Sequence, residues 1–125
     1  MSDDREQTVR DFCAAFERLD VDAVMSFFAD EPTYHNMPGP PATGAAAVRA
    51  TVERFLGGWD RTEWRILHIA SAGDVVFAER VDVTDAGGRH VELPCVGVFE
   101  FAGAKIKTWR DYFDLATYTR AMHPG

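Results

Sequence analysis

Two short stretches place ionisable side chains where a packed protein keeps apolar ones. In Val75-Val76-Phe77-Ala78-Glu79-Arg80-Val81-Asp82-Val83, alternation along an extended chain puts Arg80 and Asp82 on one face, about 7 Å apart. They share that face with Val76 and Ala78, while Glu79 lies opposite with Phe77, Val81 and Val83. In Ile106-Lys107-Thr108-Trp109-Arg110-Asp111-Tyr112-Phe113-Asp114, Asp111 shares its face with Trp109 and Phe113. A carboxylate between aromatic rings is costly to bury without a partner. Arg80 could be that partner, because a planar guanidinium can bridge two carboxylates. Such a trio in apolar surroundings is an acid–base device: desolvation keeps one carboxyl protonated while the arginine holds the other ionised. The two would titrate jointly. The same spacing also describes a structural ion pair or charges on a solvated face, and period alone does not say which face points inward.

Tyr34 and Asn36 stand two apart in a short extended piece, so both can point the same way. A phenol and an amide offer fixed donors and acceptors suited to holding one water molecule, although such pairs also anchor loops. His35 should then face away. His35, His68, His90 and His123 lack metal-ligand spacing, so no metal is expected. His68 reads first as a packed core histidine. His90-Val91-Glu92 followed by Pro94-Cys95 lacks the second cysteine and the intervening chain of a zinc-deaminase signature, position 98 being Val. The glycines at 57–58 and 87–88 fit no phosphate-cradling layout. Glu79, Arg110 and Asp114 face away from the acid–base candidates and suit surface or interface salt bridges.

These residues need a framework. Val9, Phe12, Cys13, Phe16 and Leu19 recur at helical spacing, with Ser2, Asp3 or Asp4 as cap. A shorter helix carries Val24, Met25, Phe27 and Phe28 and is bounded by Pro32. Thr33–Asn36 is extended and runs into the loop at 37–41. Gly44 precedes a third helix with Val48, Val52, Phe55 and Leu56 on one side and Gly57–Gly58 at its end. From 61 onward, segments 61–71, 74–84, 90–101 and 104–113 read as strands joined by tight turns. A helical turn or two from Asp114 to Met122 follows, leaving only a short segment to close that side of any pocket. Helices first and strands after predict an α+β fold in one domain over 1–125, a curved, largely antiparallel sheet wrapped around the N-terminal helices. Its cone-shaped interior is a natural small-molecule pocket.

Composition narrows the partners. The formal net charge is −7 with no basic cluster, which argues against nucleic acid and anionic membranes. No run approaches the ~20 apolar residues of a membrane span, and the acidic start lacks a signal peptide's pattern. A cytoplasmic location with Cys13 and Cys95 reduced is the expectation.

Taken in order, Tyr34-His35-Asn36-Met37-Pro38, Glu79-Arg80-Val81-Asp82 and Trp109-Arg110-Asp111-Tyr112-Phe113-Asp114 resemble the limonene-1,2-epoxide hydrolase family, within the nuclear transport factor 2-like group of conical folds with mixed sheets. The resemblance implies Asp111 as general base on water, Tyr34 and Asn36 as the pair holding that water, and Asp82 as general acid. Arg80 would link the carboxylates and Trp109 would lie beside the site. It further implies one-step opening of a small hydrophobic, cyclic or terpene-like epoxide to a vicinal diol. No covalent intermediate, metal or cofactor would be needed, and the protein would be a homodimer packed through the sheet's outer face. Substrate-lining candidates are Met25, Phe28, Val48, Val76, Val96, Val98 and Phe113. A related cone-fold isomerase or polyketide cyclase is the alternative enzyme. A non-catalytic binding module is the third reading, disfavoured because an apolar ligand gains nothing from three buried charges.

Overall fold

The computed structural model describes residues 2–123. Helix α1 (Ser2–Glu17) buries Val9, Phe12, Cys13 and Phe16, and Leu19 beyond it turns the chain with φ 55°. Helix α2 (Val21–Met25) starts where the Asp20 carboxylate accepts from the Ala23 N–H at 3.0 Å. Strand β1 (Phe28–Asn36) and the two-residue β2 (Ala42–Thr43) precede α3 (Ala45–Gly58). Strands β3 (Arg61–Ala72), β4 (Val75–Ala86), β5 (Arg89–Ala102) and β6 (Lys105–Phe113) follow, and α4 (Leu115–Met122) comes last.

The strands form one six-stranded sheet in the order β2-β1-β6-β5-β4-β3. Every neighbouring pair is antiparallel except β1–β6, which is parallel. The sheet is thus mixed, curved and unclosed, wrapped around the helices as the sequence predicts.

Strand β1 departs from that prediction. Phe28 opens the strand instead of ending the second helix, because its backbone pairs with Ile106 of β6. Between Phe28 and Thr33 the register shifts, with Glu31 at φ 52°. Pro32, which has no N–H for a ladder, sits in this irregularity and gives its carbonyl to the Gly44 N–H at 2.8 Å. Strand β2 was not foreseen. It pairs Thr43 and Ala42 with Thr33 and Tyr34, covering the edge of β1.

Alternation decides which face is inner. Val76, Ala78, Arg80, Asp82 and Thr84 of β4 point inward with Leu93, Cys95, Gly97 and Phe99 of β5 and Trp109 and Asp111 of β6. At one end, α1 packs an aromatic cluster against the sheet, with Phe12 edge-on to Phe16, Phe28, Phe99 and Trp109. At the other end α4 rests on a separate small cluster of Val91, Leu93 and Met122. A cavity lies between. Among the described residues no helix is long and apolar enough to cross a membrane.

Candidate active site

Arg80 projects from the middle of β4 and is fully buried. Its Nε and Nη2 donate to the two Asp82 oxygens, each at 2.8 Å. Its Nη1 and Nη2 donate to Asp111 Oδ1 and Oδ2 at 3.1 and 2.8 Å. One guanidinium therefore ties together carboxylates from two strands that are not neighbours, with β5 lying between them. The gap is open because β5 carries Gly97 at that point. A Cβ on Gly97 would lie 2.6 Å from Arg80 Nη1, closer than real Cβ atoms come, and a tight 3.0 Å from Asp111 Oδ1. The Trp64 ring lies against the guanidinium, 4.3 Å from its centre, and Cys95 Sγ accepts from Nη2 at 3.4 Å.

Asp111 is anchored once more. The Trp109 indole N–H donates to Asp111 Oδ1 at 2.7 Å, and the Trp109 ring stacks on Tyr34 with centroids 3.9 Å apart. The parallel β1–β6 register places Tyr34 opposite Trp109 and Asn36 opposite Asp111. Tyr34, Asn36, Asp82 and Asp111 all line one cavity of about 170 Å³, walled otherwise by Phe55, Trp59, Trp64, Leu93, Phe113 and Leu115.

The charges follow from this geometry. With both carboxyls ionised the trio would carry a net negative charge in an apolar enclosure, which burial penalises. Asp82 answers that penalty: burial pushes its carboxyl above the ordinary 3.8, outweighing the Arg80 charge and hydrogen bonds that lower it. Burial disfavours a charged Arg80, but the adjacent Asp111 and Asp82 carboxylates hold it well above its usual value. Burial, with Asp111 adding to it, also keeps the Tyr34 phenol and the Cys95 thiol in their protonated forms. Burial pushes the Cys13 thiol up to about 12, and both cysteines are free.

Asp82, Cys95 and Asp111 bring ligand atoms within 4.8 Å of one another, the one such buried trio among the described residues. Arg80 already occupies the space between them, so a divalent cation there would meet a fixed positive charge.

Of the residues singled out in the sequence, Arg80, Asp82, Asp111, Tyr34 and Asn36 come together, with Phe113 on the same cavity. Trp109 does not reach the cavity; it lies fully buried beneath Tyr34 and touches Asp111 instead. Met25, Phe28 and Val76 are misplaced as lining residues. Met25 and Phe28 border a separate depression with Asp30 and Pro32, Met25 at the end of α2 and Phe28 at the start of β1. Val76 is fully buried in the main core. Val48 is also core, and Val96 and Val98 fall on the outer parity of β5. His68 is exposed on the outer face against Glu79 at 2.7 Å instead of packed in the core. His35 turns away and bonds the Gly39 carbonyl at 2.8 Å. Arg110 pairs with Glu100 on the outer face, whereas Asp114 makes no salt bridge among the described residues and caps α4, accepting from the Thr117 N–H at 3.2 Å.

Sequence reasoning missed Trp64, Trp59, Leu93, Leu115, Tyr118 and Gly97. For most, no local signal exists, since three distant elements meet at the cavity. Gly97 had one: a lone glycine between valines in a strand marks a close approach.

The model of the limonene-1,2-epoxide hydrolase catalytic domain matches residues 3–123. Epoxide hydrolase EphG of Mycobacterium tuberculosis is 32% identical over 117 residues, covering 94% of this chain and 78% of the relative. A solved M. tuberculosis LEH-like epoxide hydrolase superposes with TM-score 0.83 at 28% identity, covering 93% of this chain and 86% of the other. A Xanthomonas campestris protein assigned to the polyketide cyclases superposes with TM-score 0.84 at 24% identity, over 94% and 95% of the two chains, and shares the fold. The motifs, the conical sheet and the matched span agree: the chain belongs to the limonene-1,2-epoxide hydrolase family.

Proposed function

We propose that this protein adds water to a small hydrophobic epoxide in one step, giving a vicinal diol. The observation that carries the reading is a single buried guanidinium holding two carboxylates on the wall of an apolar cavity. Tyr34 and Asn36 hold a water beside Asp111, which takes its proton as the oxygen attacks an epoxide carbon. The C–O bond breaks, and Asp82 protonates the oxygen that departs from that carbon. Each half of this proton traffic is worth ~10²–10⁴-fold in rate. The net charge of the trio stays constant throughout. Only the negative charge moves, from Asp111 to Asp82, across one guanidinium that bonds both, so little reorganisation accompanies the step. Neither a metal nor a cofactor enters this scheme. Phe55, Leu93, Phe113 and Leu115 supply the apolar surface for the substrate's hydrocarbon.

Exposed Leu67, Phe77, Val96 and Tyr112 on the sheet's outer face support a homodimer packed through that face.

Turnover of a panel of cyclic and terpene epoxides, in EDTA, comparing wild type with Asp111→Asn, tests the reading. Diol formed by wild type and lost in the variant supports it. If folded wild type converts none of the panel, the hydrolase reading fails, and proton exchange on carbon acids becomes the assay for the cyclase alternative.

A further inference from the structure

Trp59 at the end of α3 donates its indole N–H to the Tyr118 phenol on α4 at 3.2 Å. These two residues and Phe55 form a shared wall. On one side lies the cavity of about 170 Å³; on the other is an outer groove of about 600 Å³. The groove runs against the charge of the whole molecule. The chain carries a formal −7, yet the groove is lined by Arg54, Arg89 and His123 and, among the described residues, by no carboxylate. Acids close by are engaged elsewhere: Asp60 accepts from the Gly87 N–H at 2.8 Å, and Asp85 is held by Arg61 and His90. Among the described residues no ion pair holds Arg54 or Arg89. Arg54 instead lies over the Phe55 ring, 5.4 Å from its centre.

Two guanidinium groups with no ion pair among the described residues, set beside aromatic side chains, suit a carboxylate on an apolar chain. The geometry points to a second subsite in this groove, which takes the carboxylate end of an epoxide's hydrocarbon tail while the ring lies at Asp82 and Asp111. The tail passes between Trp59 and Tyr118. Their single neutral hydrogen bond, between half-buried side chains, is the least costly link to part in that wall. This assignment rests on the hydrolase reading and names its substrate class: medium-chain epoxy carboxylates.

The test compares a medium-chain epoxy acid with its methyl ester in wild type and in an Arg54→Gln/Arg89→Gln variant. The acid should exceed the ester in kcat/KM by roughly three- to tenfold at low salt, the range two exposed ion pairs allow. That ratio should fall to about one in the variant and shrink with added salt. The saturated acid and its ester, which carry no epoxide, should show the same preference by calorimetry. Equal values for acid and ester, or a preference that survives in the variant, overturn the subsite. A small cyclic epoxide in the same assay reports on the chemistry alone: its hydrolysis with acid and ester equal removes the subsite and leaves the hydrolase standing. Absence of turnover for every epoxide removes the hydrolase reading and the substrate class with it.

Discussion

Beneath the floor of the cavity, Arg80 and Trp109 are fully buried and joined to Asp111, and the Phe12 and Phe16 rings of α1 back Trp109. At its mouth, Trp59 and Tyr118 are half-buried, Leu115 is 47% exposed, and α4 stands on its own small cluster around Met122. The floor is over-determined: each polar group there has a partner, and each ring is packed on another ring. The mouth hangs on one hydrogen bond and a few apolar contacts. A site that must keep a proton in place and yet admit a ligand needs both kinds of construction, with the mobile part drawn from the less stable end.

The contrast breaks first at the base. Asp111→Asn removes the proton acceptor and keeps the shape, so kcat should fall by ~10²–10⁴-fold with little change in KM; steady-state kinetics decides it. The pH profile comes next. Because burial raises Asp82 above 3.8, its acid form persists to higher pH, and kcat should fall by about tenfold per pH unit beyond that raised value. The stability linked to this proton is complete below 3.8 and is lost as pH rises through the folded-state value. Melting temperature against pH should therefore decline on that limb in wild type, and Asp82→Asn should lack the decline.

Gly97→Ala tests the floor without touching a charge. Its Cβ overlaps Arg80 Nη1, so the variant should lose about 1–3 kcal/mol in denaturant unfolding, and the Arg80–Asp111 bonds should lengthen in a crystal structure. Met122→Ala tests the mouth. Hydrogen exchange should quicken across α4 while β4–β6 keep their protection, because α4's cluster is separate from the main core. The smallest effect belongs to Tyr118→Phe, which deletes one hydrogen bond worth about 0.5–1.5 kcal/mol. It should leave the melting temperature within a few degrees and raise the relative kcat/KM of longer epoxides over cyclic ones.

What was legible in the sequence follows the same division. The period of two along a strand survives errors in its ends, so Arg80 and Asp82 on one face, and Asp111 with Trp109 and Phe113, could be read directly. Tyr34 and Asn36 shared a face for the same reason. Phe28 could not be placed, because its strand is set by pairing with Ile106, far along the chain. Nor could the mouth. Its walls come from α3, β5 and α4, and only the packing of all three tells Leu93 and Tyr118 from the core valines chosen in their stead. Trp109 was a subtler case: its neighbourhood was legible, but not that Tyr34 would lie between it and the cavity.

The parallel β1–β6 pair has a consequence for how this chain can vary in length. Asn36 faces Asp111 across one strand spacing, ~4.8 Å, and the Met37 N–H closes the ladder on the Asp111 carbonyl at 2.9 Å. Pro38 and Gly39 still wall the cavity, and the Gly39 N–H bonds the Asn36 carbonyl at 2.8 Å, but an inserted residue after Gly39 lengthens only the loop to β2 and leaves that spacing alone. The same change between Thr33 and Asn36 reverses the parity of the strand and turns the phenol or the amide out of the cavity. Gly39 therefore marks a frontier: beyond it the short loop to β2 can change length at little cost, and on its near side a single codon disables the water site.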